Sequence, residues 1–192
     1  MKKQEIRKQF LHQRMMLSEV DYEEFNQQLL NQFKTLDLTS VSVIHLFLPI
    51  KERREPDTFL IRNWLKENRP DIKIAYPKAN FADHTMEGYL DDDKLELVIN
   101  GYGIPEPVTG TTIEATKVDI MLVPLLAFDK RGYRTGYGKG FYDRFMTQCG
   151  SHAKFVGLSF FDPIDIIEDT DQFDKQLHQC ITPNKIYEWQ HP

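Results

Sequence analysis

Residues 118–144 read VDIMLVPLLAFDKRGYRTGYGKGFYDR: an apolar run closed by Asp129, a glycine-rich basic loop, and an aromatic-rich start of a helix. The order strand, loop, helix aims backbone N–H groups and a helix N-terminus at one point in space, where an anion is stabilised. A chain built this way is expected to form an α/β layer with a ligand site at the end of the strand.

Gly132, Gly136, Gly138 and Gly140 let the loop reach positive φ and approach a ligand closely, while Arg131, Arg134 and Lys139 add positive charge. Phosphate suits such a loop, although the same composition also describes a solvated basic surface loop. The spacing is not that of a Walker A loop, which needs a glycine at Tyr133 and a hydroxyl residue at Gly140. Nor is it the dinucleotide fingerprint, because Gly136, Gly138 and Gly140 are spaced GxGxG.

Periodicity gives the remaining elements. Ile6, Phe10 and Leu17 fall on a helical stripe, with Lys2, Lys3, Arg7, Lys8 and Arg14 mostly off it, which predicts a basic amphipathic helix. Ser18 is placed to cap a second helix over residues 19–33, whose early acids suit the positive end of its dipole. The β-branched run at 41–48 predicts a buried parallel strand ending at Pro49, with His45 as a core residue. Asp57 begins a helix to about Asn68, and strands are expected at 72–76, ending before Pro77, and at 86–90. Asp91, Asp92 and Asp93 lack the calcium-loop pattern and read as a solvated turn, and 100–107 reads as a surface loop. A helix at 141–149, a strand at 155–160 and a last short strand at Cys180 and Ile181 complete the chain. Helices between successive apolar strands predict one three-layer α/β/α domain over 1–192 with a mostly parallel central sheet.

The net charge of −5 argues against broad nucleic-acid binding, which rests on neutralising phosphates. Cys149 and Cys180 are far apart and without CxxC spacing, so a zinc site or redox dithiol is unsupported. Neither a membrane-spanning apolar run nor a signal-peptide core is present, and the expected location is the cytoplasm. Nothing in the sequence calls for an obligate protein partner.

The loop RTGYGKGFYDR, after a strand ending VPLLAFD, resembles the signature RLGxGxGYYDR of the 5-formyltetrahydrofolate cyclo-ligase family, with Thr135 at a usually apolar position and Phe141 for the first tyrosine. Glu55, Asp57 and Thr58 match the family's ExDT segment, and Gly103, Ile104, Glu106 and Pro107 its GIxEP segment. Asp174, Leu177 and Thr182 match its closing HDxxLDxxIT, with Phe173 and His178 as departures.

This resemblance implies ATP- and Mg²⁺-dependent conversion of 5-formyltetrahydrofolate to 5,10-methenyltetrahydrofolate. It implies ATP contacts from Lys3, Arg7, Arg134, Gly136, Gly138, Lys139 and Gly140, and substrate contacts from Ile50, Glu55 and Tyr142. Arg134, Lys139 and Tyr142 would act on the reacting groups, and Asp143 and Asp174 would hold Mg²⁺. From the residues alone, an ATP-independent enzyme of sugar phosphates or CoA esters and a non-catalytic nucleotide sensor remain open. Coincidence of the Glu55 segment with the glycine loop favours the ligase.

Overall fold

A computed structural model describes residues 1–101 and 103–190. The chain begins with α1 (Lys3–Met15), α2 (Glu19–Phe33), β1 (Val43–His45), α3 (Thr58–Asn68), β2 (Lys73–Asn80) and β3 (Thr85–Leu90). It continues through β4 (Glu96–Ile99), β5 (Pro105–Thr109), β6 (Thr112–Ile113), β7 (Ile120–Pro124), β8 (Ala127–Phe128) and β9 (Arg134–Thr135). After the basic loop come α4 (Phe141–Met146), β10 (Lys154–Leu158), β11 (Gln179–Ile181) and β12 (Ile186–Glu188).

Eight strands make one sheet in the order β12-β11-β10-β7-β1-β2-β3-β6. The strands from β11 to β2 pair in parallel, while β12 closes one edge and β3 and β6 the other in antiparallel fashion. The strand β7 lies between β10 and β1, so its side chains meet protein on both faces. Ile120 and Leu122 join the cluster under α2 and α3 with Leu29, Phe33, Ile61 and Leu65. Met121 and Val123 point the other way, toward Phe145 and Met146 of α4. Two buried faces explain the unbroken apolar run, because a period of two has no solvent side to make polar.

Helices thus flank the sheet on both faces, as expected, although α4 is short and Tyr187 and Trp189 help cover its face. The first helix does something different: Ile6 and Phe10 pack on Leu126, Ala127 and Ile167, just beyond the end of β7. Ser18 caps α2 by accepting from the Asp21 N–H, and Asp57 caps α3 by accepting from the Phe59 N–H.

Several boundaries differ from the periodicity. The first strand is only Val43–His45, because the chain leaves the ladder before Pro49 while Leu46, Phe47 and Leu48 stay buried. Conversely β2 passes through Pro77 to Asn80. The Ala75 carbonyl accepts from the Leu46 N–H, so Ala75 and, two residues on, Pro77 face the β1 side, where β1 has already ended and no donor is missed.

Residues 105–107 are not loop but part of β5, paired only with β4. A two-stranded ribbon leaves one side of β5 unpaired, and Pro105 and Pro107, two apart, share a side. The helix predicted to residue 149 ends at Met146, the strand predicted at 155–160 is Lys154–Leu158, and β11 is followed by β12. Asp91 is no solvated turn residue: its carboxylate is nearly buried and pairs with Arg62 at 2.6 Å and Lys66 at 3.0 Å.

Candidate active site

From β1 the chain crosses through α3 to β2 on one side, and from β7 it crosses through α4 to β10 on the other. The neighbours β1 and β7 therefore part at their carboxyl ends, the switch point where open parallel sheets leave a crevice. A cavity of about 730 Å³ opens there, floored by Phe47, Leu48 and Pro124 and reaching Ile104, Pro105 and Glu106 of the β4–β5 ribbon. Every candidate residue named from the sequence lines it: Lys3 and Arg7 of α1, Ile50 and Glu55 after β1, the loop from Arg134 to Gly140, Tyr142 and Asp143 of α4, and Asp174.

The loop begins as a tight hairpin, β8 with β9. Asp129, fully buried, organises its turn by accepting from the N–H groups of Arg131 at 2.9 Å and Tyr133 at 3.1 Å, and from Ile167 at 3.0 Å. Beyond the hairpin Gly138 and Gly140 adopt φ of 90° and 70°, which only glycine enters without strain. A Cβ on Gly138 would also stand 3.0 Å from the Arg7 guanidinium carbon. Gly136 has no such need, since its Cβ would meet only the Pro124 carbonyl at 3.9 Å. Arg7 Nε donates to the Gly136 carbonyl at 3.0 Å, joining α1 to the loop. Lys139 is exposed on the cavity rim.

On the opposite wall Glu55 is 2 % exposed. Its Oε2 accepts from the Ile50 N–H at 2.7 Å and its Oε1 from the Tyr137 hydroxyl at 2.7 Å. Burial raises its pKa above the ordinary carboxylate value, against the lowering effect of those two donors and of Arg14 and Arg53. Arg14 is itself buried and spans three elements, donating to the Arg53 carbonyl at 2.8 Å, the Leu125 carbonyl at 3.2 Å and the Tyr137 hydroxyl at 2.5 Å. Tyr142, partly covered beside this wall, has its phenol pKa raised by burial.

At the mouth, Arg134 is held by Asp143 at 3.0 Å and by the Lys175 carbonyl at 2.5 Å. Burial lowers its pKa and Asp143 offsets part of that. Asp143 Oδ1 also accepts from the Lys175 N–H at 3.0 Å, whereas Oδ2 carries no hydrogen bond among the described residues. Asp174 pairs with Lys3 Nζ at 2.5 Å. Among the described residues no group of three His, Cys, Asp or Glu could cage a metal. The open oxygen of Asp143 suits Mg²⁺, which takes one or two protein carboxylates and completes its shell with other oxygens, whereas both oxygens of Asp174 accept from Lys3 and one also accepts from the Asp171 N–H. The departures noted at the closing segment fall outside this set, since Phe173 is exposed and His178 accepts from the Phe155 N–H through Nδ1 at 2.9 Å.

Periodicity missed two residues of the site. Arg14 lies off the apolar stripe of α1, yet it is nearly inaccessible. Tyr137, between two glycines, bridges the walls. The one available signal was a bulky aromatic in the middle of a glycine loop, which flexibility alone does not require.

A cationic glycine loop and a buried carboxylate facing one cavity, at the switch point of a parallel sheet, define an α/β enzyme that handles an anionic ligand. The family described as the 5-formyltetrahydrofolate cyclo-ligase family matches residues 1–183, and the chain belongs to it. Its activity is the conversion of 5-formyltetrahydrofolate to 5,10-methenyltetrahydrofolate, and the family is one of ATP-dependent ligases.

A 5-formyltetrahydrofolate cyclo-ligase of Mycoplasma pneumoniae is 30% identical over 185 residues, covering 94% of this chain and 98% of its own. One of Escherichia coli is 25% identical over 181 residues, covering 92% and 97%. The solved structure of Aquifex aeolicus 5,10-methenyltetrahydrofolate synthetase is similar at a TM-score of 0.81 and 27% identity, over 100% of this chain and 95% of that one. A 5,10-methenyltetrahydrofolate synthetase from Mycoplasma pneumoniae gives 0.74 and 28%, over 94% and 98%. These findings set aside the sugar-phosphate, CoA and sensor alternatives.

Proposed function

We propose that the cavity holds both substrates at once, the pterin end of 5-formyltetrahydrofolate against Ile50 and Glu55 and the triphosphate of ATP on the loop from Arg134 to Gly140. The observation that carries this reading is that Glu55 and the loop line one cavity and touch through Tyr137 at 2.7 Å. A buried carboxylate suits the N–H donors of a pterin edge, and a glycine loop lined with Lys3, Arg7, Arg134 and Lys139 suits a polyphosphate.

The formyl oxygen is a poor leaving group until it carries a phosphoryl group. Its attack on the γ-phosphorus forms an O–P bond as the bond to ADP breaks, leaving an imidoyl phosphate. The N10 lone pair then attacks the formyl carbon, the N10 proton is lost, and the C–O bond breaks to release phosphate and close the ring. The second step is intramolecular, and orientation lowers most of its barrier.

The first step needs charge and position more than a protein nucleophile. Arg134, fixed by Asp143 and the Lys175 carbonyl, is a preorganised donor toward the transferring group, and exposed Lys139 is free to close on it. Tyr142 orients the formyl end. Asp143 and Asp174 would hold Mg²⁺, which when bound would supply neutralisation of the phosphate charge. The reaction has no use for membrane or nucleic acid, and the protein works in the cytoplasm as one 1–192 domain.

The test is the rise of methenyl-folate absorbance on mixing protein, 5-formyltetrahydrofolate, Mg²⁺ and ATP, omitting each in turn. Glu55→Gln is expected to weaken folate binding about tenfold or more while ATP binds as in the parent. Equal loss of both affinities would assign Glu55 a structural role only.

A further inference from the structure

Tyr137 lies between Gly136 and Gly138, the stretch of loop that meets Arg7, yet its hydroxyl lies on the opposite wall against Glu55. Its single proton has one place to go. Arg14 can only donate, and it donates to the Tyr137 oxygen, so the phenol proton is directed to Glu55 Oε1. Arg53 stacks over the same ring, its guanidinium carbon 4.6 Å from the centroid. Arg14 further ties the tyrosine to the Arg53 and Leu125 carbonyls, on the two connections that leave β1 and β7.

We propose that Tyr137 is a positioning residue that couples the two substrates, its backbone moving with the nucleotide loop while its hydroxyl sets the orientation of the carboxylate that receives the folate. This inference rests on the placement of the substrates given above. A triphosphate on the loop draws the Arg7 guanidinium and the backbone flanking Tyr137, and the ring carries that displacement to Glu55. Coupling of this kind is reciprocal: ATP tightens folate and folate tightens ATP by the same factor.

The experiment measures the Kd of 5-formyltetrahydrofolate with and without saturating β,γ-imido ATP and Mg²⁺, in the parent, Tyr137→Phe and Glu55→Gln. The parent is expected to show a factor of about five or more, and Tyr137→Phe a factor near one with unaltered binding of the ATP analogue alone. Loss of a hydrogen bond to the carboxylate also moves the pH dependence of folate binding upward in Tyr137→Phe, a change that a packing role for the ring would not cause.

Tyr137→Met, which lacks the hydroxyl and keeps bulk, serves should Tyr137→Phe fail to fold. The same factor in parent and variant, or no coupling in the parent, overturns the proposal. Undiminished folate affinity in Glu55→Gln instead removes the underlying placement of the folate. Weakened affinity there together with an unchanged factor in Tyr137→Phe overturns the coupling alone.

Discussion

Arg134 and Asp143 form an ion pair of 3.0 Å at the mouth of the cavity, with side chains 6 % and 26 % exposed. The pair fixes the cation proposed to meet the transferring phosphate and at the same time occupies one oxygen of a carboxylate proposed to meet Mg²⁺.

Asp143→Asn therefore changes two things. Viewed as a helix-start residue alone, Asp143 would lose only a slight dipole contribution on becoming the amide, but the amide also leaves a buried guanidinium without its counter-charge. A loss of about 1–2 kcal/mol is expected in chemical denaturation. The rate should also show a raised Mg²⁺ requirement in an initial-rate titration. A variant with the parent's Mg²⁺ curve would confine Asp143 to holding Arg134.

Lys139→Ala separates chemistry from folding. The side chain is exposed on the rim, so the melting temperature should stay close to the parent's, with stability changed by no more than about 0.5 kcal/mol. Turnover should fall by about 10²–10³, as when one donor to a developing charge in the transition state is removed. An unaltered rate would take Lys139 out of the reaction.

The loop glycines give a paired prediction. Gly138→Ala is strained by a φ of 90° and by the Arg7 guanidinium, and should cost about 1 kcal/mol or more of stability. Gly136→Ala meets nothing nearer than 3.9 Å, so it should fold like the parent. Its added methyl would stand where the backbone is proposed to approach phosphate, and the Kd for ATP should rise about tenfold. Normal ATP binding in a folded Gly136→Ala protein would place the phosphate elsewhere.

His45 predicts a pH effect unrelated to catalysis. The ring is fully buried beside Phe145, neither nitrogen has a hydrogen-bond partner among the described residues, and burial pushes its pKa from 6.5 to about 3. Between those values the unfolded chain binds a proton that the folded chain refuses. This contribution to stability is intact above pH 6.5 and is lost as pH falls toward 3, at up to about 1.4 kcal/mol per unit. Denaturant titrations at several pH values should show a shallower acid loss for His45→Leu than for the parent. Equal slopes would mean that His45 accepts a proton in the folded state.

The sequence by itself determined the parts whose physics is local. Ser18 and Asp57 cap helices because short polar side chains reach the first free N–H groups, and the short unbroken run at 120–123, closed by Pro124 and followed by a glycine loop, suits a strand with two buried faces. The glycines and cations of the 134–140 loop likewise mark a backbone able to turn sharply and a local concentration of positive charge.

Only the tertiary structure decided what depends on elements distant in the chain. Whether Pro77 ends a strand turned on where β1 stops, and whether Asp91 is solvated turned on Arg62 and Lys66 of α3. Arg14 became a buried strut, and Tyr137 a bridge to Glu55 across 82 positions, because the switch point between β1 and β7 brings their outgoing connections against α1. Helical period and composition record which side chains avoid water, but a buried cation and a bridging phenol are set by partners that only the sheet order brings within hydrogen-bonding distance.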